Sequence, residues 1–217
     1  MTRPYPVNPV LLSLLKEGGF EHQGQRYAIN YSTPPAICKQ YGDLILERGF
    51  SSAVEIGTLF GLSTLHLAEA LAHNDGKLDT IDIRYEKREW SKGLTIENVH
   101  EVAERLVDES GFREVVKFHV GHSNEVLTNF IREGRSYDFA LIDGSHLFPI
   151  AMLDFIFVDR LVREGGVIAL DDIGEGLARR YPDGGPNRML QMIFACGRYR
   201  ITPISPNVVL CDKLNSL

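Results

Sequence analysis

Asp143-Gly144-Ser145-His146 and Asp171-Asp172 are the residues of this 217-residue chain with the plainest chemical content. Each group follows a short apolar run, so three carboxylates and an imidazole are expected at the ends of two strands. If those ends share one rim, the carboxylates repel. A pair ~4 Å apart costs about 1 kcal/mol in water and nearer 4 kcal/mol at the effective dielectric of a protein site. A hard divalent cation, Mg2+ or Ca2+, held by Asp143, Asp171 and Asp172 would offset that cost, because oxygen donors select such ions over softer metals. The plainer alternative is that Asp171 or Asp172 caps a turn and Asp143 holds a backbone N–H. The residues alone leave both open. His146 lies just past a strand end and carries the side chain whose ordinary pKa best suits proton transfer near neutrality.

A second group lies earlier in the chain. Glu55-Ile56-Gly57-Thr58-Leu59-Phe60-Gly61-Leu62-Ser63-Thr64 reads as a strand end, a glycine turn and a helix start. Glycine lets a ligand approach the backbone, and a helix N-terminus offers free N–H groups to an anion. The segment lacks the GxGxxG spacing of dinucleotide folds, and a tight turn without a ligand would look the same. Asp82 ends the next apolar run about 25 residues on, a position from which a carboxylate can accept both hydroxyls of a ribose. Gly121-His122-Ser123 ends a third run, where His122 is either near a bound base or at a helix start. The remaining histidines are read as packing or surface residues.

The elements that must position these residues follow from the rhythm of the sequence. From residue 52 onward, short β-rich runs alternate with segments of helical period, the pattern of an α/β fold with a doubly wound, mostly parallel sheet. Strands are expected at 53–56, 78–82, 115–120, 139–143 and 167–171, with helices filling the gaps. Leu62, Leu65, Leu67, Ala68 and Leu71 give one helix its apolar face. Val99, Val102, Ala103, Leu106 and Val107 give another, which Gly111 should end. The rhythm then breaks into a Gly/Pro-rich loop over 174–186, a helix near 189–195 and two runs, 199–204 and 208–211. Their link, Ser205-Pro206-Asn207, is too short for a crossover helix, so an antiparallel hairpin closes the sheet at seven strands. Residues 1–50 read as a helical N-terminal extension, with Thr33-Pro34-Pro35 opening its second helix. One domain over 1–217 is the expected organisation.

Composition narrows the function classes. The chain is 44% apolar and 24% charged, with 23 basic against 29 acidic residues and no basic run that could track a phosphate backbone, so nucleic acid is not an expected partner. No stretch approaches the ~20 apolar residues that span a bilayer, and Val10–Leu15 is too short and lacks the basic flank of a signal peptide. Three cysteines without CxxC spacing suit a reducing compartment. The expected location is cytoplasmic, and a homodimer is left open.

Taken together, the strand-end residues resemble the class I S-adenosylmethionine-dependent methyltransferases from about residue 30 onward. Val54 to Gly61 is similar to that family's first motif, Asp82 to its ribose acid, Gly121-His122-Ser123 to its adenine-side loop, and the terminal hairpin to its antiparallel last strand. The resemblance assigns Glu55, Gly57, Thr58, Gly61, Ser63, Thr64, Asp82 and Ile83 to the cofactor, together with Gly121, His122, Ser123 and Asp143. The Asp143 to His146 spacing is most similar to the cation-dependent sugar and macrolide O-methyltransferases, whose carboxylate binds Mg2+ and whose histidine deprotonates the acceptor hydroxyl. Catechol-type members have lysine at that position, so a catechol acceptor does not follow. The resemblance thus implies S-adenosylmethionine and Mg2+ as cofactors and methyl transfer to a small-molecule hydroxyl. Two other readings stay open: a nucleotide-dependent oxidoreductase, and a catalytically silent methyltransferase-like binding subunit. The 174–186 loop, with Arg179, Arg180 and Tyr181, is the expected acceptor mouth.

Overall fold

Strand and helix alternate through the computed structural model, which describes residues 5–29, 33–84, 86–91, 94–181 and 183–215. In chain order the elements are α1 (Pro9–Glu17), β1 (Gly19–His22), β2 (Gln25–Ala28), α2 (Pro35–Arg48), β3 (Ser52–Ile56), α3 (Leu62–Ala72) and β4 (Lys77–Asp82). Then come β5 (Lys87–Ser91), β6 (Leu94–Glu97), α4 (Val99–Glu109), β7 (Val116–Val120), α5 (Ser123–Arg132), β8 (Tyr137–Ile142) and α6 (Phe148–Leu161). The chain closes with β9 (Val162–Leu170), α7 (Glu175–Ala178), α8 (Gly185–Ala195), β10 (Tyr199–Ser205) and β11 (Val208–Lys213).

Seven strands form one sheet in the order β10-β11-β9-β8-β3-β4-β7. β3 and β8, β8 and β9, and β4 and β7 pair in parallel. The last strand, β11, runs antiparallel to both β9 and β10, as the short 205–207 link requires. Parallel strands covered on both faces are apolar along their whole length, and residues 139–141 of β8 and 167–170 of β9 are fully buried. α4 buries Val99, Val102, Ala103, Leu106 and Val107. It ends where the Phe112 N–H donates to the Val107 carbonyl at 3.0 Å and Gly111 takes φ +74°.

Two expectations are corrected. The N-terminal segment is not purely helical: β1 and β2 form a hairpin between α1 and α2, turning through Gln23 and Gly24 at φ +50° and +74°. Such a two-residue turn with φ positive at both positions matches the twist of the strands it joins. Between β4 and α4 stands a second hairpin, β5–β6, in a stretch to which the sequence assigns no element of its own. The 174–186 segment also carries more regular structure than a loop, with α7 inside it and α8 already starting at Gly185.

The structure divides into two compact units, Met1–Ser51 with Thr58–Val120, and Ser52–Gly57 with Gly121–Leu217. In the first, the phenol of Tyr5 meets His66 Nδ1 at 2.9 Å and donates to the His66 carbonyl at 3.0 Å, tying the N-terminal segment to α3. Burial holds His66 well below the usual histidine range, at about 4, so it stays neutral there. In the second unit, the level at which the strands end is set by their last backbone bonds. The Asp143 N–H donates to the Ile56 carbonyl (2.9 Å) and the Asp171 N–H to the Ile142 carbonyl (3.1 Å). Gly57, Asp143 and Asp171 therefore leave β3, β8 and β9 side by side, because Ile56, Ile142 and Leu170 are in register.

Where α6 passes straight into β9, the helix leaves carbonyls without an intrahelical partner. Lys213, on β11 and almost wholly buried, donates to the carbonyls of Asp159 and of Val162 (2.9 Å) and pairs with the Asp159 carboxylate at 3.1 Å. Tyr199 also donates to that carboxylate, so one buried cluster fastens the terminal hairpin to the α6–β9 junction. Replacing Lys213 by Met keeps the volume but takes the buried cation from the Asp159 carboxylate, leaving it Tyr199 and the more distant Arg198 (3.8 Å), and removes the donor from two carbonyls. Urea denaturation should show Lys213→Met losing about 3–5 kcal/mol, the usual cost of breaking a buried pair from one side. A loss under about 1 kcal/mol would mean that the cluster is not what fastens the hairpin.

Candidate functional site

The residues expected to do chemistry divide between the two units. In the first, the Asp82 carboxylate accepts the N–H groups of Leu59 (2.8 Å) and Ile83 (2.7 Å). Burial raises its pKa, while those backbone bonds and the charge of Arg88 act to lower it. With the Thr58 backbone as a third donor, the carboxylate's four lone pairs are not all used, so the group that shapes the turn can still accept a hydroxyl. The Thr58 and Thr80 hydroxyls meet at 2.6 Å, both buried. Gly61 enters α3 at φ +92°, and Ser63 and Thr64 are buried in that helix's first turn. Ile83 is partly exposed.

In the second unit, Glu55 is wholly buried on β3. Gly57 has φ +100°, and a Cβ there would lie 2.1 Å from the Asp143 carbonyl oxygen. Only glycine permits that approach of the β3 turn to the end of β8. His122 is exposed at the N-cap of α5, where its carbonyl accepts from Glu125 and Val126. Gly121 precedes it at the end of β7. Ser123 donates to the Asp154 carboxylate at 2.6 Å.

The acidic rim lies wholly within this unit. Asp143, His146 and Asp172 each offer one ligand atom, and these atoms lie within 4.8 Å of one another. The grouping differs from the set read from the sequence, because His146 stands in it and Asp171 does not. Asp171 is buried, and one of its oxygens accepts the Asp172 N–H at 2.7 Å. Asp172 takes φ +59°, a left-handed conformation that aspartate tolerates better than most residues. Its carboxylate pairs with His146 Nε2, while Nδ1 meets the Tyr181 hydroxyl at 2.7 Å. A carboxylate only accepts, so Nε2 carries a proton, and in the neutral imidazole Nδ1 has the lone pair. Two carboxylates and an imidazole converge, half-exposed. That donor set fits a hard divalent cation taken by the oxygens, with the imidazole committed to its hydrogen bonds.

The 174–186 segment is fixed to this rim. The Asp183 carboxylate accepts from the Phe148 N–H (2.9 Å) and the Gly185 N–H (3.0 Å), and the Arg188 guanidinium lies over the Phe148 ring at 4.6 Å. On the sequence, Tyr181 stood out only as a member of the loop, since nothing in its neighbours shows that it reaches back to His146. The sequence motifs do not single out Asp154. A carboxylate among Ala151, Phe155 and Val158 on the buried face of α6 was the available signal.

Comparison with known proteins decides the family: residues 54–173 match the methyltransferase-domain family over more than half of the chain. The chain belongs to that family. The methyltransferase domain is also 29% identical over 121 residues to a catechol O-methyltransferase from Niastella koreensis, a stretch covering 55% of this chain. It spans about half the length of that curated relative, 48%. In fold, it matches an O-methyltransferase from Bacillus cereus in complex with SAH at TM-score 0.71 and 20% identity, over 96% of this chain and 93% of the other. An O-methyltransferase of tomaymycin synthesis from Streptomyces achromogenes, in complex with SAM, gives 0.70 and 21%, over 99% and 92%. The fold is thus the Rossmann-like methyltransferase sheet with its antiparallel last strand. No helix among the described residues is long and apolar enough to cross a membrane.

Asp154 supplies a test of the site's electrostatics. Burial pushes its carboxyl up to about 6, against the Ser123 hydroxyl, which pulls it down. The folded pKa exceeds the unfolded one, so the proton favours folding and its contribution is lost as pH rises from about 4 through 6. Asp154→Asn cannot ionise. Between pH 4.5 and 7.5 the wild type should lose roughly 2 kcal/mol relative to the variant in urea denaturation. A constant difference would show that the carboxyl is not held up by burial.

Proposed function

We propose that the chain transfers a methyl group from S-adenosylmethionine to a hydroxyl of a small molecule, with a divalent cation at the acidic rim. The observation that carries this reading is the convergence of Asp143, Asp172 and His146 in a chain of the methyltransferase-domain family. The relatives named above carry O-methyltransferase names, which favours oxygen as the acceptor atom. The family match disfavours the oxidoreductase reading, and the ordered Asp–His–Tyr chain disfavours the silent binding subunit.

The cofactor supplies a methyl group activated by the positive sulfonium. An uncharged hydroxyl is a poor nucleophile toward it, so the protein's task is to take the hydroxyl proton as the oxygen attacks in line. His146 is the base. Its Nε2–H is held by Asp172, which fixes the tautomer and stabilises the imidazolium that forms, leaving Nδ1 to receive the proton. Asp143 and Asp172 would hold Mg2+, with Asp171 fixing the backbone of Asp172 behind them. When bound, the cation lowers the pKa of the acceptor oxygen and orients it. Asp82 is assigned to the ribose and Ile83 to the base beside it. The turn from Gly57 through Thr58 and Gly61 to Ser63 and Thr64 takes the aminoacyl end with Glu55, and Gly121, His122 and Ser123 the adenine side.

Labelled S-adenosylmethionine and a panel of hydroxylated small molecules, with Mg2+ or with EDTA, test this reading. Transfer should appear with Mg2+ and vanish reversibly in EDTA. His146→Ala should lose about 10²- to 10⁴-fold in kcat while keeping its affinity for the demethylated cofactor. Full turnover in EDTA would remove the cation from the reading, and an unchanged rate in His146→Ala would remove the base.

A further inference from the structure

Both nitrogens of His146 are already engaged. Nε2 is held by Asp172, and the lone pair of Nδ1, the only basic site left on the ring, is held by the Tyr181 hydroxyl at 2.7 Å. The Tyr181 ring lies 5.4 Å from the imidazole, tilted by 46°. This tyrosine is not loosely placed: its carbonyl accepts the Gly184 N–H at 3.0 Å, and Asp183 ties the same stretch to the start of α6. Gly185 comes so close to the base-bearing loop that a Cβ there would meet the His146 carbonyl oxygen at 2.8 Å. Any hydroxyl that is to give its proton to Nδ1 therefore meets the Tyr181 hydroxyl already there. A phenol that donates its one proton to Nδ1 keeps two lone pairs with which to accept another.

We infer that Tyr181 is a catalytic residue of the methyl transfer: the acceptor's proton reaches His146 through its hydroxyl. The inference rests on the reading of His146 as the base. As the acceptor oxygen forms its bond to the methyl carbon, the carbon–sulfur bond breaks and its electron pair stays on sulfur. The acceptor's proton passes to Tyr181 Oη, and the proton of Tyr181 passes to His146 Nδ1. Tyr181 ends as the neutral phenol it began as. The imidazolium, stabilised by Asp172, returns its proton to solvent after product leaves. The 174–186 segment then carries part of the chemistry as well as lining the acceptor mouth.

Tyr181→Phe separates this inference from its rivals by sign. The variant keeps the ring and should keep the fold, yet it breaks the path to Nδ1. Expected are a fall in kcat of at least about tenfold, an acceptor KM within about twofold, and unchanged binding of the demethylated cofactor. If the hydroxyl merely occupies the place of the acceptor, removing it frees Nδ1 and kcat stays level or rises, which would overturn the inference. In D2O mixtures the wild type should give a bowed proton inventory, from two protons in flight, and Tyr181→Phe a linear one. Linear behaviour in both would overturn it too. On a His146→Ala background, Tyr181→Phe should cost nothing further, whereas an equal loss there would mean that the tyrosine acts on the acceptor alone. Should His146→Ala itself turn over at the wild-type rate, the base assignment falls and the inference with it. Should Tyr181→Phe fall in kcat while His146→Ala keeps its expected loss, both stand.

Discussion

The parallel register of β3, β8 and β9 is the constraint on which the chemical rim depends. A backbone ladder has no preference for one residue over another, but once Ile56, Ile142 and Leu170 are aligned, whatever follows them emerges at one level. Two further backbone bonds, from Asp143 to Ile56 and from Asp171 to Ile142, extend the alignment one residue past the strands. A slip of one residue would turn every side chain of a strand to the opposite face and separate the carboxylates. Apolar runs buried on both faces tolerate such a slip, so the register at the rim is held by these backbone bonds and by the close approach of Gly57 to the Asp143 carbonyl.

From that alignment the rest of the rim follows by local backbone chemistry. Asp171 spends an oxygen on the N–H of Asp172, whose left-handed conformation then directs its own carboxylate to His146. Two adjacent aspartates in an ordinary extended strand would point to opposite faces. Here the departure from β geometry is what makes the second one useful. His146 is fixed at both nitrogens, so its orientation does not depend on which groups happen to enter the site. Gly57 completes the arrangement from β3, because any side chain there would collide with the carbonyl of Asp143.

Much of this was legible in the sequence, and the parts that were not share a cause. The alternation of apolar runs with helical periods carried the sheet, because burial on both faces forces composition to follow topology. The Ser205-Pro206-Asn207 link carried the antiparallel last strand, since three residues cannot cross a sheet. The two small hairpins were missed because four- or five-residue strands among charged residues leave no period to read, although Gln23-Gly24 held the turn signal. In the rim, residue type marked Asp143, His146, Asp171 and Asp172 as one cluster. Which oxygen points where is a matter of dihedral angles that composition does not record, so the exchange of Asp171 for His146 in the converging set could not be anticipated. Tyr181 reaches His146 across 35 residues of chain, a contact without any local trace.

The carboxylates of the rim are held together by the sheet against their own repulsion, and in the proposed reading a divalent cation offsets it. The direct measurement is Mn2+ binding followed by electron paramagnetic resonance, with no cofactor or acceptor present. The wild type should bind one ion per chain in competition with Mg2+, and Asp143→Asn and Asp172→Asn, each still folded, should weaken that binding at least about tenfold. Equal affinity in all three proteins would contradict it, and would leave the rim as a hydrogen-bonded Asp–His–Tyr chain that activates the acceptor unaided.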